Sequence, residues 1–312
     1  MIDKFNFYDV YGYFLPGGAL LLLLWLPYGL VRNSWPGSDW SSAILGVALA
    51  YFIGHLLQMI CTKVVPSTTR GRYPSAFVLD DDKWLAEAFR TQLCNLVKKK
   101  FDLDLEVDKP STAEDQGPAA EGKAIAKTKA IAKADKARNT AFFLARHVLV
   151  QAKEISYGEQ FEGLYSLLRG MCAAFTLACS NYIGWSLSTV HHGRLDSVVM
   201  VMVAGSLLAG INFSAQVLRN DLNREALSRL EQVSALALLL IAMGIGYASG
   251  RRYEVTPGQA WVLALCAMGA LLASLRCFGA YKYHCINFAL TVWRDFFASA
   301  EKEQTTADPL HV

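Results

Sequence analysis

The stretch LPGGALLLLLWLPYGLV at residues 15–31 decides the class of this protein. It contains no charged side chain, and five consecutive leucines form its centre. A helix needs about 20 apolar residues to cross a hydrocarbon core of about 30 Å. The stretch approaches that length and predicts a transmembrane helix.

The composition of the whole chain agrees with this prediction. Of its 312 residues, 53% are hydrophobic and 18% are charged, the formal net charge is +3 and the mean hydropathy is +0.25. Soluble domains contain about 25% charged residues, so an ordinary soluble enzyme is disfavoured. Asp3, Lys4 and Asp9 precede the first apolar run, and no small-residue cleavage site follows it. We therefore expect the first span to remain in the mature protein.

Five further segments approach the length of a transmembrane helix. They are residues 43–61, 170–190, 198–218, 233–249 and 260–278. The segment at 233–249 is the shortest, and a tilted or re-entrant helix would also explain it. The sequence therefore predicts an all-α integral membrane protein with four to six transmembrane helices and a small, mostly helical cytosolic insertion.

The distribution of lysine and arginine predicts the orientation. Residues 62–168 hold more than half of the basic side chains, which places this stretch on the cytoplasmic side. With six spans, the N- and C-termini are then also cytoplasmic. The adjacent pair Arg251 and Arg252 is the main exception, because it falls in a short outer loop.

These patterns divide the chain into four parts. Residues 1–61 form an interfacial segment and a first transmembrane hairpin, and residues 62–168 form the cytosolic insertion. Residues 169–279 form two further hairpins. Residues 280–312 form an amphipathic helix and tail, which we expect to lie on the inner membrane surface or to pack against the cytosolic part.

The insertion shows three local patterns. Apolar residues recur at helical spacing from Leu85 to Val97, after three aspartates at 80–82 that are suited to cap a helix. Residues 101–107 alternate between apolar and acidic side chains, which predicts a short strand. Residues 140–168 predict an amphipathic helix that breaks at Gly158 and leads into the third span.

A Lys/Ala-rich linker at 109–138 is predicted to be disordered. Its first part lacks large apolar side chains, and its second part repeats Lys-Ala-Ile-Ala-Lys, a helix former with little to bury. Anionic lipid and nucleic-acid phosphate both fit such a basic segment, and so does a solvated helix without a partner. No aromatic residue lies between the lysines, so base stacking is not predicted. The candidate contacts for a polyanion or lipid are Lys98, Lys99, Lys100, Lys123, Lys127, Lys129 and Lys133.

Polar side chains inside the predicted spans are the strongest candidates for function, because polar groups are costly within a bilayer. They are His55, Gln58, Ser180, Asn181, Asn212 and Ser214. These residues are candidates to line a water-filled path, and the alternative is that they hydrogen-bond between closely packed helices. Arg169 lies at the edge of the third span, where we expect it to anchor the helix at the inner headgroups.

Motifs for catalysis or metal binding are missing from the sequence. It lacks a His-Glu-x-x-His motif, a phosphate-binding loop and a nucleophile elbow. The seven cysteines are odd in number and have no Cys-x-x-Cys spacing, so neither a disulfide framework nor a zinc site is predicted. We therefore expect no enzyme activity, no cofactor and no metal.

The first 75 residues resemble a family of poorly characterised bacterial inner-membrane proteins. The likeness rests on YDVYGYFLPG at residues 8–17, on Gly54 and His55, and on GRYPS at residues 71–75. Several relatives look like membrane effectors of anti-phage defence, and the Hailong-type DNA-gated channel is the first comparison. The resemblance implies a small cytosolic sensing part that responds to a nucleotide or nucleic-acid signal, and spans that then permeabilise the inner membrane. It assigns no functional residue.

Three functional hypotheses follow. The first is a gated channel or pore-forming effector, which is a homo-oligomer because six helices rarely enclose a wide pore. The second is a non-conducting membrane scaffold that docks a cytosolic partner protein through the insertion and the C-terminal helix. The third, an enzyme acting on lipid, lacks a visible acid–base or nucleophilic set.

Overall fold

The computed structural model describes residues 9–35, 40–65, 73–80, 83–105, 120–152, 157–189 and 224–307. Among these residues the secondary structure is helical, without a strand, which confirms the all-α class. A short π-helical turn, Asp9–Phe14, leads into the first α-helix. The α-helices are α1 Leu15–Arg32, α2 Trp40–Val64, α3 Pro74–Asp80, α4 Glu87–Phe101, α5 Ala120–Ala152, α6 Tyr157–Leu187, α7 Arg224–Tyr253 and α8 Pro257–Ala307.

Four helical segments are long and apolar enough to cross a bilayer. They are Asp9–Arg32, Trp40–Cys61, Val233–Tyr253 and Pro257–Glu303. Only 22–28% of the most apolar window of each is buried, so most of their apolar side chains face outward, as lipid-facing helices require. Four spans lie within the predicted range of four to six. The predicted span at 198–218, with Asn212 and Ser214, lies outside the described residues.

The chain forms two compact units. The first, called here the membrane unit, comprises Met1–Pro66 and Gly163–Tyr281. The second, called here the insertion unit, comprises Ser67–Glu162 and Lys282–Val312.

Helix α6 lies at the centre of the membrane unit and contacts three apolar helices. The Tyr182 hydroxyl donates to the Leu23 carbonyl in α1 over 2.7 Å, and the Asn181 amide donates to the Ala242 carbonyl in α7 over 3.1 Å. The Ser186 hydroxyl donates to the Ala260 carbonyl in α8 over 3.1 Å. Helix α6 therefore faces protein, and these three polar side chains have partners in neighbouring helices. It contains residues 170–187 of the predicted span 170–190, but it is not among the four candidate segments.

A proline in α1 explains one of these contacts. Pro27 lies inside α1 and has no N–H, so the Leu23 carbonyl four residues earlier loses its helical donor. In a bilayer such a carbonyl needs a partner from a neighbouring helix. The hydroxyl of Tyr182, a residue only 1% exposed, supplies it.

Glycines bring two helix pairs into backbone contact. A Cβ on Gly17 would overlap the Ala50 carbonyl oxygen, which fixes the close approach of α1 to α2. A Cβ on Gly184 would overlap the Met243 carbonyl oxygen, and one on Gly246 would overlap that of Asn181. Small residues at such positions are how helices pack tightly in membranes.

Contacts at the helix ends give the relative directions in the membrane unit. The Tyr253 ring lies against Tyr28, with centroids 5.3 Å apart, and against Trp185, at 6.1 Å. The carboxyl ends of α1, α6 and α7 therefore meet at one end of the unit, called here the Tyr253 end. The Gln259 amide donates to the Leu30 carbonyl over 3.5 Å, so α8 begins there. These directions agree with the six-span arrangement.

The region around α4 corrects two predictions from the sequence. Helix α4 has Ala86 as its N-cap residue, without a side-chain cap, whereas Asp80 ends α3; the predicted aspartate cap is wrong. Asp102 takes a left-handed conformation (φ 54°) and its N–H donates to the Lys98 carbonyl, which closes α4. After this turn, the Leu105 side chain is buried in the core of the insertion unit. The predicted strand is therefore wrong over residues 101–105; residues 106–107 lie outside the described part.

Helix α5 replaces part of the predicted disordered linker. Residues 120–138 are helical, as alanine and lysine favour, whereas residues 109–119 lie outside the described part. From Ala134 onward the helix has a buried face, on which Ala141, Ala145 and Leu149 are fully buried. The predicted break at Gly158 is also misplaced, because α5 ends at Ala152 and Gly158 lies within α6.

The C-terminal part of α8 packs in the insertion unit. Trp293 is fully buried, and its indole N–H donates to the Ser75 carbonyl over 3.2 Å. The Phe297 ring lies 4.8 Å from that of Phe89 in α4. This helix therefore packs against the insertion, which is one of the two arrangements expected from the sequence.

Candidate functional site

The two pieces of the N-terminal motif lie side by side in the membrane unit. Pro16 occupies the first turn of α1, where a missing N–H costs nothing. Gly54 in α2 lies very close to the π-helical turn Asp9–Phe14. A Cβ on Gly54 would overlap the Tyr13 carbonyl oxygen. The segment around Tyr13 and the segment around His55 therefore form one site, called here the His55 site.

The His55 ring is held between two tyrosine rings. It stacks on Tyr13, with centroids 4.0 Å apart and an interplanar angle of 21°, and it meets the Tyr51 ring edge-on at 4.6 Å. His55 nevertheless remains exposed on the surface of α2. An imidazole can both donate and accept hydrogen bonds. An exposed one within a candidate span therefore calls for water, lipid headgroups or another protein chain beside it.

Gln58 connects three segments of the membrane unit. Its amide nitrogen donates to the Gly12 carbonyl at 2.5 Å and to the Ser166 hydroxyl at 3.3 Å. Its amide oxygen accepts from the Cys61 thiol at 3.0 Å. Every polar atom of this side chain thus has a partner within the protomer, and Gln58 ties the N-terminal segment and α2 to α6.

Arg169 caps the end of α2. Its guanidinium donates to the Val65 carbonyl over 3.3 Å, and its central carbon lies 6.0 Å from the centre of the Tyr281 ring. A cation at the carboxyl end of a helix also interacts favourably with the helix dipole. The sequence predicted an anchor at the headgroups; the contact with α2 is a further role that spacing along the chain does not reveal.

Ser180 and Asn181 point into the protein. The Ser180 hydroxyl donates to the Thr176 carbonyl of its own helix over 3.3 Å. Asn181 is buried, and it donates to α7 as described above. Asn181 therefore contributes to the packing of α6 on α7, whereas Ser180 bonds within its own helix. Asn212 and Ser214 lie outside the described residues.

The candidate lysines are in different surroundings. Lys98 pairs with Asp104 and Lys100 pairs with Glu303, each over 2.9 Å. Lys99 and Lys133 are exposed. Lys123, Lys127 and Lys129 belong to α5, but their side chains lie outside the described part. The α4 lysines are thus partly neutralised within the insertion unit, which reduces the positive charge available to a polyanion.

Sequence reasoning missed some members of the His55 site. The sequence places Tyr13 only within the interfacial segment and the resemblance at residues 8–17, and it does not single out Tyr51 or Ser166. The available signal was the small residues Gly17, Ala50 and Gly54, which permit close packing of α1 on α2. Among the residues that the structure describes, no group of three or more His, Cys, Asp or Glu side chains could hold a metal ion.

Comparisons with known proteins add no relative. No protein-family model, curated protein or solved structure matches the chain. The resemblance to the defence-effector family therefore stays a prediction.

Proposed function

We propose that the chain is the subunit of an oligomeric gated membrane channel or pore-forming effector. The observation that carries the proposal is the exposed imidazole of His55 on the candidate span Trp40–Cys61. His55 precedes Cys61 by six residues, which corresponds to about 9 Å of helix. In an isolated protomer this imidazole would face lipid, which is unfavourable. In an oligomer with the α2 helices around a shared axis, it would face a water-filled path.

The face of α2 that carries His55 suits a pore wall. Ser41, Ala48 and His55 are spaced seven residues apart, or about two helical turns, and all three are exposed. These three positions present small or polar side chains along the span, between exposed apolar residues such as Ile44 and Phe52. Gln58, Ser180 and Asn181 bond within the protomer, so in this proposal they hold the wall together and His55 lines the path.

The gate in this proposal responds to a cytosolic nucleotide or nucleic-acid signal received by the insertion unit. The basic character of residues 62–168 and the resemblance to anti-phage defence effectors of the bacterial inner membrane support it. Such a protein needs no cofactor and catalyses no reaction. Its activity would be permeabilisation of the membrane, as in abortive infection.

Ion flux from liposomes containing the purified protein tests this function. Flux is measured with and without a panel of nucleotides and short oligonucleotides, for the wild type and for His55→Leu. Phe52→Leu is the matched control, because Phe52 is an exposed apolar residue on the same helix. We expect a signal-dependent flux that Phe52→Leu retains and His55→Leu loses. Equal flux in both variants would remove His55 from the pore, and no flux under any condition would refute the channel.

One observation favours the second hypothesis, a non-conducting membrane scaffold, instead of the channel. In the insertion unit, α5 exposes Phe143, Leu144 and Val150 along one side, with Phe143 55% exposed. Exposed apolar surface on a polar domain is typical of protein-binding sites. A cytosolic partner that co-purifies in stoichiometric amount, without any flux, would support the scaffold.

A further inference from the structure

The Tyr253 end of the membrane unit has the features of a membrane interface. All four candidate spans begin or end there, at Arg32, Trp40, Tyr253 and Pro257. Tryptophan and tyrosine side chains surround this level, and Trp40 and Trp261 are 86% and 76% exposed. Such aromatic belts lie among lipid headgroups. The ends of the apolar spans and the exposed aromatic side chains thus both indicate that the Tyr253 end lies at the level of the lipid headgroups.

Two arginines are held against one ring at this level. The central carbon of the Arg32 guanidinium lies 5.7 Å from the centre of the Tyr253 ring, and that of Arg252 lies 5.8 Å from it. The ring itself is fixed, because it stacks on Trp185 and meets Tyr28 edge-on. Tyr253 therefore serves as a rigid platform that contacts both cations.

The positive charge of this cluster is not neutralised within the described residues. Neither Arg32 nor Arg252 forms an ion pair there, and both side chains are exposed. Arg251 adds a third basic residue, and the exposed Glu254 is the neighbouring carboxylate. Two adjacent guanidinium groups repel each other unless an anion lies between or beside them.

We propose that Arg32 and Arg252, held against Tyr253, bind the phosphate group of an anionic phospholipid. A guanidinium presents paired N–H donors that match phosphate oxygens, and headgroup phosphates lie at the level of the aromatic belt. The site would also explain why Arg251 and Arg252, in the last turn of α7, lie at an end of the spans that the positive-inside rule predicts to lack basic residues. In this proposal their positive charge attracts anionic headgroups on that side of the membrane.

Lipid titration of the full chain in nanodiscs or micelles of phosphatidylcholine tests the site. Phosphatidylglycerol is added, and the retained lipid is counted by native mass spectrometry. Each surface arginine contributes about a fivefold gain in affinity for an anionic headgroup, so Arg32→Gln with Arg252→Gln should weaken binding by about 25-fold. Arg276→Gln, an exposed arginine elsewhere in the membrane unit, is the charge-matched control for each of the two single substitutions. It should weaken binding by less than fivefold.

Three further measurements distinguish lipid binding at this site from a general effect of positive charge. Tyr253→Phe keeps the ring and should bind as the wild type does, whereas Tyr253→Leu removes the platform and should weaken binding. Glu254→Gln removes the neighbouring carboxylate and should tighten it. Inorganic phosphate at millimolar concentration distinguishes the sources of the anion: full competition assigns the site to free phosphate, and no competition assigns it to the lipid headgroup.

The result that overturns the proposal is equal lipid retention by the double variant and the wild type, or an equal loss in Arg276→Gln. The melting temperature in phosphatidylcholine alone serves as the folding control, and it should be the same for all the exposed-arginine variants. A double variant with arginine replaced by lysine keeps the charge but not the paired donors. It should lose less affinity than the glutamine variant.

Discussion

Replacing Tyr182 by phenylalanine should destabilise the membrane unit, because it removes the donor to a carbonyl that a proline in another helix leaves without its helical hydrogen bond. The Tyr182 hydroxyl donates to the Leu23 carbonyl, which lacks its own helical donor because residue 27 is proline. Phenylalanine keeps the ring and its packing. The substitution therefore removes one hydrogen bond and leaves one buried carbonyl without a partner.

The size of the effect follows from that orphaned carbonyl. Interhelical hydrogen bonds in membranes average about 0.6 kcal/mol, because a lost partner is often replaced. A buried acceptor left without a donor costs about 1–3 kcal/mol. Since Pro27 prevents replacement within α1, we expect a loss of about 1–2 kcal/mol in the free energy of unfolding. In the Pro27→Ala background α1 regains its own N–H, and the same substitution should cost less than about 0.6 kcal/mol.

The assay is a double-mutant cycle on the purified protein, unfolded reversibly in mixed detergent micelles with increasing dodecyl sulfate. We expect a coupling energy of about 1 kcal/mol between residues 27 and 182. Ser180→Ala is the control, because Ser180 bonds only to a carbonyl of its own helix; it should change the free energy of unfolding by less than about 0.5 kcal/mol. Equal costs of Tyr182→Phe in both backgrounds would refute the reasoning.

Two further predictions concern the packing of each unit. Gly54→Ala should destabilise the membrane unit by about 1–3 kcal/mol, because its methyl group would overlap the Tyr13 carbonyl oxygen. Gly46→Ala on the same helix has no atom within 4 Å and should be neutral or stabilising; equal unfolding midpoints for the two variants would contradict the packing. Trp293→Ala should destabilise the insertion unit by about 3–5 kcal/mol, since the side chain is fully buried. Limited proteolysis should then cut that unit faster, and an unchanged pattern would show that Trp293 is not essential to its core.

The membrane class was predictable because hydropathy is a local property. Each of α1, α2, α7 and α8 faces outward with apolar side chains, and that feature can be read from any window of the sequence. The central position of α6 was not predictable in this way. Its polar side chains lie where neighbouring helices can bond to them. The positions of those helices cannot be read from any single stretch of the sequence.

The errors in the insertion unit have the same origin. Asp102 closes α4 in a left-handed conformation and Leu105 fills a core position, so an alternating sequence forms no strand. The residues of the His55 site were predicted only in part. His55 and Gln58 stood out as polar residues in a span, but the stacking of Tyr13 on His55 depends on a contact between residues more than forty positions apart.

The central position of α6 has a consequence for biogenesis. Four polar side chains of this helix bond to α1, α2, α7 and α8, and lipid alone would leave these groups without partners when α6 enters the bilayer. The α1–α2 hairpin is synthesised first and already presents the Leu23 carbonyl and the Gln58 side chain that α6 will meet. Insertion of α6 should therefore be assisted by docking to that hairpin, and α7 and α8 then supply the remaining partners of its polar side chains.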